Sequence, residues 1–290
     1  MKALTLKTMA FVFSLLPAAW LSTLAWPLGA LVWRVSKRLR KVSLKNLSLC
    51  YPDMAEAECE ALARQSLHHY ANNGLETGLA WYSSRRRFDS RFLPVVGEDS
   101  YRQALAPGKG VVLLAPHHGA WEMLGLMLSD VLAATLYKPS EDDAVNRLLV
   151  ERRGRFGANL VPAGRQGLKA LVRGLADGRA VAILPDQEPR AGDGRFAPFF
   201  GVPALTGVLA PRLLGRTGAR ALFAVCLRAP GGRYQTHFLA PHPDIYSDDL
   251  DRAVAAVNEG VERCIALAPA QYLWAYKRFR ARPEGETRFY

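Results

Sequence analysis

The order of apolar runs along this chain predicts an α/β fold: a mostly parallel central sheet flanked by helices, preceded by an apolar N-terminal helix. Three observations carry the prediction. Short apolar runs at 110–115, 134–137, 158–161, 180–184 and 221–227 are of the kind that fill buried strands. They alternate with helical stretches near 121–130, 141–156, 164–177 and 204–218, the pattern of an α/β layer with a parallel sheet. Finally, no charged residue occurs between Thr8 and Trp33.

As one helix, that charge-free stretch of 26 positions would reach about 39 Å against a hydrocarbon layer of about 30 Å. It is long enough to span a bilayer with tilt, while Pro17 and Pro27 are expected to kink it, so a bent interfacial helix fits equally. A cleaved signal peptide has a shorter apolar core. We therefore expect a membrane anchor over residues 1–33 and a cytoplasmic domain over 34–290. Arg34, Lys37, Arg38, Arg40, Lys41 and Lys45 follow directly, and by the positive-inside rule they hold the bulk of the protein in the cytoplasm. The scattered Cys50, Cys59, Cys226 and Cys264 agree with a reducing compartment.

Residues 55–81 read as one or two helices, with Ala63, Leu67, Tyr70 and Gly74 at helical spacing. Beyond the alternating section, residues 233–239 are expected to add an antiparallel strand and 250–268 a final helix. Residues 195–203, Arg-Phe-Ala-Pro-Phe-Phe-Gly-Val-Pro, read as an aromatic loop that either lines an acyl channel or plugs the core. Lys and Arg number 38 against 26 Asp and Glu, a net charge of +12, which favours anionic partners. An apolar segment beside a basic cluster points to lipid phosphates rather than nucleic acid, and the same field would steer an acidic carrier protein.

The strongest chemical signal is Pro116-His117-His118-Gly119-Ala120-Trp121-Glu122, directly after the first strand run. In open α/β sheets the active site lies at the carboxyl edge of the strands. Five residues on a helix are about 500° apart, so His117 and Glu122 converge only if His117 lies in the loop and Glu122 in the first turn of the next helix. Gly119 permits that sharp entry. An unperturbed imidazole, with a pKa of about 6.5, is largely neutral at cytoplasmic pH, and a carboxylate on its other N–H fixes the tautomer that takes a proton. The pair suggests an enzyme that deprotonates a hydroxyl. The bland alternative is a loop-capping histidine beside a Glu favoured at any helix N-terminus.

Zinc is disfavoured, because there is no H-E-x-x-H and no C-x-x-C. The absence of G-x-S-x-G, a Walker A loop and a G-x-G-x-x-G after a strand removes the commonest hydrolase, NTPase and dinucleotide readings. Two more strand exits carry polar groups, Tyr137-Lys138-Pro139 and Pro185-Asp186-Gln187-Glu188. Such groups on adjacent strands can converge on one cleft.

These residues, in this order, resemble the late acyltransferases of lipid A biosynthesis, the lauroyl and myristoyl transferases of Gram-negative inner membranes. The resemblance rests on Arg40-Lys41-Val42 through Asn46-Leu47 to Tyr51-Pro52, the His117/Glu122 pair, Tyr137-Lys138-Pro139, Gly154-Arg155, Asp186-Gln187 and Pro198-Phe199-Phe200-Gly201. The ending adds Ala268-Pro269-Ala270-Gln271-Tyr272-Leu273-Trp274 with Arg278-Phe279 and Arg282-Pro283-Glu284-Gly285. It implies a fold of the glycerolipid-acyltransferase type and transfer of a fatty acyl group from an acyl carrier protein thioester to the 3-hydroxyl of a hydroxyacyl chain of a lipid A precursor, a phosphorylated glucosamine disaccharide. The same chemistry on another lipid acceptor, such as a lysophospholipid or glycolipid, is the alternative. It further implies a site on the cytoplasmic face of the inner membrane, among membrane phospholipids, with no cofactor and no metal. On this resemblance His117 is the base and Glu122 its orienting carboxylate, Arg155 holds a phosphate or a developing oxyanion, and Asp186 is structural or orienting. Lys138 and Gln187 join the substrate-binding set, with Lys138 standing where relatives commonly carry Arg.

Overall fold

A computed structural model describes residues 1–190 and 192–290. Its helices are α1 (Lys2–Ser14), α2 (Ala18–Val35), α3 (Lys37–Cys50), α4 (Glu56–Tyr82), α5 (Arg85–Asp89), α6 (Glu98–Leu105), α7 (Trp121–Met127), α8 (Asp143–Arg153), α9 (Arg165–Ala176), α10 (Leu209–Thr217) and α11 (Leu250–Ala266). Its strands are β1 (Val111–Leu114), β2 (Leu132–Tyr137), β3 (Leu160–Pro162), β4 (Ala180–Ile183), β5 (Gly194–Phe199), β6 (Val202–Gly207), β7 (Arg220–Ala229) and β8 (Arg233–Leu239).

Six strands form one sheet in the order β3-β2-β4-β1-β7-β8. All pairings in it are parallel except β7 with β8, as the alternating runs and the expected antiparallel strand require. β1 and β4 read Val-Val-Leu-Leu and Ala-Val-Ala-Ile and are buried throughout, because helices cover both faces. Opposite faces of β1 feed two cores: Val112 and Leu114 join Leu67, Leu171 and Phe223, whereas Val111 and Leu113 join Trp81, Leu124 and Leu222.

Two expectations are corrected here. The aromatic loop is a β-hairpin in which β5 and β6 pair antiparallel around a two-residue turn at Phe200 and Gly201, both at positive φ. Pro198 and Pro203 face each other across it, tolerable in a two-stranded ribbon where prolines need not supply a continuous ladder. The hairpin takes up the residues expected to start the next helix, so α10 begins only at Leu209. The buried Arg278 fixes the ribbon, donating to the Leu205 carbonyl at 2.7 Å, Thr206 Oγ1 at 2.6 Å and Asn258 Oδ1 at 3.1 Å.

The second correction concerns the N-terminus. The charge-free stretch is not one helix: Pro17 divides it into α1 and α2, with Pro27 inside α2. Among the described residues no helix is long and apolar enough to cross a membrane. Both helices lie on α4 instead. Ala18, Leu21 and Ala25 pack with Leu75 and Leu79, and Gly29 meets α4 so closely that a Cβ there would stand 2.6 Å from the His68 Cα. The opposite side stays open, with Phe11, Leu15, Trp20, Trp26, Leu31 and Val35 all at least half exposed. A second tie to α4 is the buried ion pair of Glu76 with Arg228 of β7, at 2.7 and 2.8 Å, joined by Asn73 and Tyr234.

Candidate active site

The register of two adjacent strands builds the site. Leu114 of β1 stands opposite Ile183 of β4, so the residues three positions beyond each, His117 and Asp186, leave the sheet side by side. Asp186 Oδ2 accepts the backbone N–H of His117 at 2.9 Å, and its Oδ1 lies 2.9 Å from the imidazole Nδ1. A carboxylate so placed holds the proton on Nδ1 and leaves the Nε2 lone pair free to accept. Gln187, the next residue, places its amide nitrogen 3.2 Å from Nε2, and with Nε2 as acceptor that amide is the donor.

Asp186 is 2 % exposed. Burial alone would raise its pKa, but the charge and two hydrogen bonds of His117, with a further backbone N–H, win and hold it below the ordinary carboxylate value. It is therefore ionised at neutral pH. The phenol of Tyr272 stands beside it, pushed well above the usual range by burial first and by the Asp186 charge next, and so stays protonated.

The loop between β1 and α7 is pinned from both sides. Gly119, at φ 64°, approaches β7 so closely that a Cβ would lie 2.1 Å from the Cys226 carbonyl oxygen. Ala120 donates to that same carbonyl at 2.7 Å. On the other side the C-terminal segment pairs through an isolated antiparallel bridge between His118 and Tyr272: Gly119 donates to the Gln271 carbonyl at 3.0 Å and Leu273 donates to the His117 carbonyl at 3.1 Å. His118 turns inward, fully buried, and burial drives its pKa down to about 3, so it is a neutral core residue.

Glu122 does stand in the first turn of α7, but the expected contact with His117 gives way to another. Its carboxylate is gripped by both sides of the Arg153 guanidinium from the end of α8, with Nε at 2.9 Å from Oε2 and a second nitrogen donating to Oε1. The carboxylate in contact with the imidazole is thus Asp186. Sequence spacing brings Glu122 near His117, while strand register brings Asp186 into contact with it.

Arg155 also departs from expectation. Its guanidinium donates to the Ala80 carbonyl at 2.8 Å and to the Ser83 carbonyl, and it lies over the Phe156 ring. The donors expected for a phosphate or oxyanion are committed to the end of α4, where unpaired carbonyls accumulate. Lys138 is exposed in the loop after β2 and is not bonded to His117 or Asp186. Of the six expected site residues, the structure brings together His117, Asp186 and Gln187, pairs Glu122 elsewhere, and sets Arg155 and Lys138 apart. Arg153 and Tyr272 went unassigned. Nothing in the 31-residue separation of Glu122 from Arg153 signals their pairing, whereas the Tyr272 segment was visible as a long motif without a role. Among the described residues no group of His, Cys, Asp and Glu is arranged to hold a metal.

Comparison with known proteins adds the chemistry to this geometry. A family model described as bacterial lipid A biosynthesis acyltransferase matches residues 5–281. The chain is 31% identical over 281 residues to the lipid A biosynthesis palmitoleoyltransferase of Escherichia coli (strain K12), covering 95% of this chain and 90% of that protein. It is also 31% identical to the lauroyltransferase of the same organism, over 89% of this chain and 84% of the relative. The myristoyltransferase is 26% identical, over 91% of this chain and 82% of the relative.

Proposed function

The chain belongs to the bacterial lipid A biosynthesis acyltransferase family, and from that premise we propose that it moves a fatty acyl group from an acyl carrier protein thioester to the hydroxyl of a hydroxyacyl chain on a lipid A precursor. The single observation carrying the mechanism is His117 bonded through Nδ1 to the buried, ionised Asp186, with Nε2 turned to a side-chain amide. When the acceptor enters, its hydroxyl replaces Gln187 at Nε2. His117 takes the hydroxyl proton as the oxygen attacks the thioester carbonyl. The C–O bond forms, the C–S bond breaks, and the proton passes from Nε2 to the departing thiolate, which leaves as the free thiol. No acyl-enzyme is needed. Asp186 fixes the tautomer and stabilises the transient imidazolium, and Tyr272 and the His117 backbone N–H keep that carboxylate in place. A positioned base of this kind contributes about 10²- to 10⁴-fold in rate.

Glu122 enters this reading as a carboxylate fixed by Arg153, shaping the field near the loop without touching the imidazole. The lipid acceptor favours work at a membrane surface, and the open apolar side of α1 and α2, with Trp20 62 % and Trp26 56 % exposed, suits an interfacial rather than a spanning attachment. The basic residues from Arg34 to Lys45 on and beside α3 suit the cytoplasmic leaflet of the inner membrane. The relatives named for lauroyl and palmitoleoyl transfer match at the same identity, so identity does not choose the acyl length.

The test is incubation of the purified protein with a tetraacylated lipid A precursor and a panel of acyl carrier thioesters, followed by mass analysis. One added acyl chain is expected. Transfer only to a lysophospholipid or another glycolipid would replace the acceptor, and transfer by His117→Ala at the wild-type rate would remove the base.

A further inference from the structure

A cavity of about 110 Å³ opens between the start of α3 and the C-terminal segment, lined by Arg38, Ala275, Tyr276, Lys277 and Arg280. Ligand pockets that enclose a whole small molecule run to several hundred Å³, so this one has room for a headgroup only. Three of its five lining residues are cations. Arg280 is paired with Glu188 at 2.9 Å, and the nearly buried Glu188 carboxylate also accepts the Ala281 N–H at 2.7 Å. Among the described residues neither Arg38 nor Lys277 has a carboxylate partner. Lys277 lies over the Tyr290 ring, 5.3 Å from its centroid, so the aromatic C-terminus holds the ammonium without neutralising it.

Two connections tie the cavity to the site. The Tyr276 hydroxyl, on its wall, accepts the Glu188 backbone N–H at 2.9 Å, and Glu188 follows Gln187, whose amide faces His117 Nε2. Leu273, two residues before the first wall residue of that segment, donates to the His117 carbonyl. In the other direction the cavity adjoins the open apolar face: Val35 is 69 % exposed, and Arg38 comes three residues later. Lys41 and Lys45 follow Arg38 at helical spacing. A lipid whose tails lie along α2 therefore meets concentrated positive charge where the apolar stripe ends.

Building on the acceptor proposed above, we infer that this cavity seats a phosphate monoester of the lipid acceptor and so sets where its acyl hydroxyl falls relative to His117. A monoester carries more charge than a diester, and its terminal oxygens meet two cations without carboxylate partners, Arg38 and Lys277, beside the Glu188-paired Arg280. The acidic carrier is the rival occupant, but continuity with the apolar stripe favours the lipid.

The test compares Arg38→Ala, Lys277→Ala and Lys277→Arg with the wild type. Each alanine is expected to raise KM for the phosphorylated acceptor about fivefold, the effect of one cation near a lipid phosphate, with kcat nearly unchanged. KM for the thioester donor and for acceptor stripped of phosphate should stay put, and Lys277→Arg should restore the wild-type value. A binding arm needs no turnover: wild type should prefer vesicles containing phosphatidate to those with the same fraction of phosphatidylglycerol, and Arg38→Ala with Lys277→Ala should erase the preference. Unchanged acceptor KM with no vesicle preference would overturn the inference while leaving the transfer reaction standing. A raised donor KM instead would hand the cavity to the carrier. Vesicle preference in a wild type that transfers nothing to the acceptor would uphold the phosphate site and refute the acceptor.

Discussion

Two carboxylates flank the loop between β1 and α7, and they are held by different means. Asp186 leaves β4 beside His117 because neighbouring parallel strands are in fixed register, so its position follows from the sheet. Glu122, on α7, is held across a helix–helix contact by Arg153 of α8, and both side chains keep some solvent, at 21 % and 30 % exposure. The contrast separates nearness in sequence from nearness in space. Five positions of chain bring Glu122 close to His117, but contact falls to a residue 69 positions away.

The comparison breaks most readily at the imidazole. His117→Ala should lower kcat by about 10²- to 10⁴-fold without moving the unfolding midpoint, and a midpoint shift of many degrees would mean that the histidine is mainly a structural part of the loop. Glu122→Gln should cost far less, no more than about fivefold in kcat/KM, equivalent to about 1 kcal/mol, because the carboxylate does not touch the imidazole and the amide keeps an acceptor oxygen for Arg153. Steady-state kinetics on the two purified variants ranks them directly.

Next, Arg155→Ala should act on stability rather than chemistry. Losing two charge-assisted bonds to the end of α4 is expected to cost about 1–3 kcal/mol, read by denaturant unfolding, with KM for a phosphorylated acceptor unchanged. A selective rise in that KM would return Arg155 to phosphate binding.

A smaller effect concerns the other histidine of the loop. His118 has a folded pKa of about 3, below the ordinary value of about 6.5. Its contribution to stability is fully present above pH 6.5 and is lost as the pH falls toward 3, because the unfolded chain binds the proton first. At pH 5 the loss is on the order of 2 kcal/mol, and His118→Gln should flatten that part of the stability profile. The depressed Asp186 carboxylate acts in the same direction at lower pH, its contribution fading as the pH drops below the ordinary carboxylate range.

Much of this architecture was legible in the chain. The five parallel strands were readable because each is a short apolar run bounded by turns, β8 because its residues alternate between buried and more exposed positions, and Gly119 announced the tight passage into α7. The Asp186-Gln187 exit was visible as polar residues at a strand end, but its contact with His117 depends on which strands are neighbours, and strand order is not written in local composition. The hairpin was hidden by prolines and aromatics that suggest a loop. It forms because Phe200 and Gly201 both adopt positive φ and because Arg278, 72 positions beyond Thr206, closes its back. At the N-terminus the absence of charge was read as one long helix. Pro17 divides it, and α4 supplies a packing surface that hydropathy alone does not reveal. Arg155 received a ligand role from the resemblance alone; in the fold the carbonyls of Ala80 and Ser83 at the end of α4 take its donors.

In the proposed reaction Asp186, brought beside His117 by strand register, orients the base. The most direct measurement is the acyl-transfer rate of Asp186→Asn, whose amide can hold the ring in place but cannot stabilise the imidazolium or impose the Nδ1–H tautomer. A fall of at least about 10²-fold in kcat, with acceptor KM and unfolding midpoint near wild type, is the predicted result. Near-normal turnover in Asp186→Asn, alongside an inactive but folded Glu122→Gln, would remove Asp186 from catalysis and return the orienting role to Glu122.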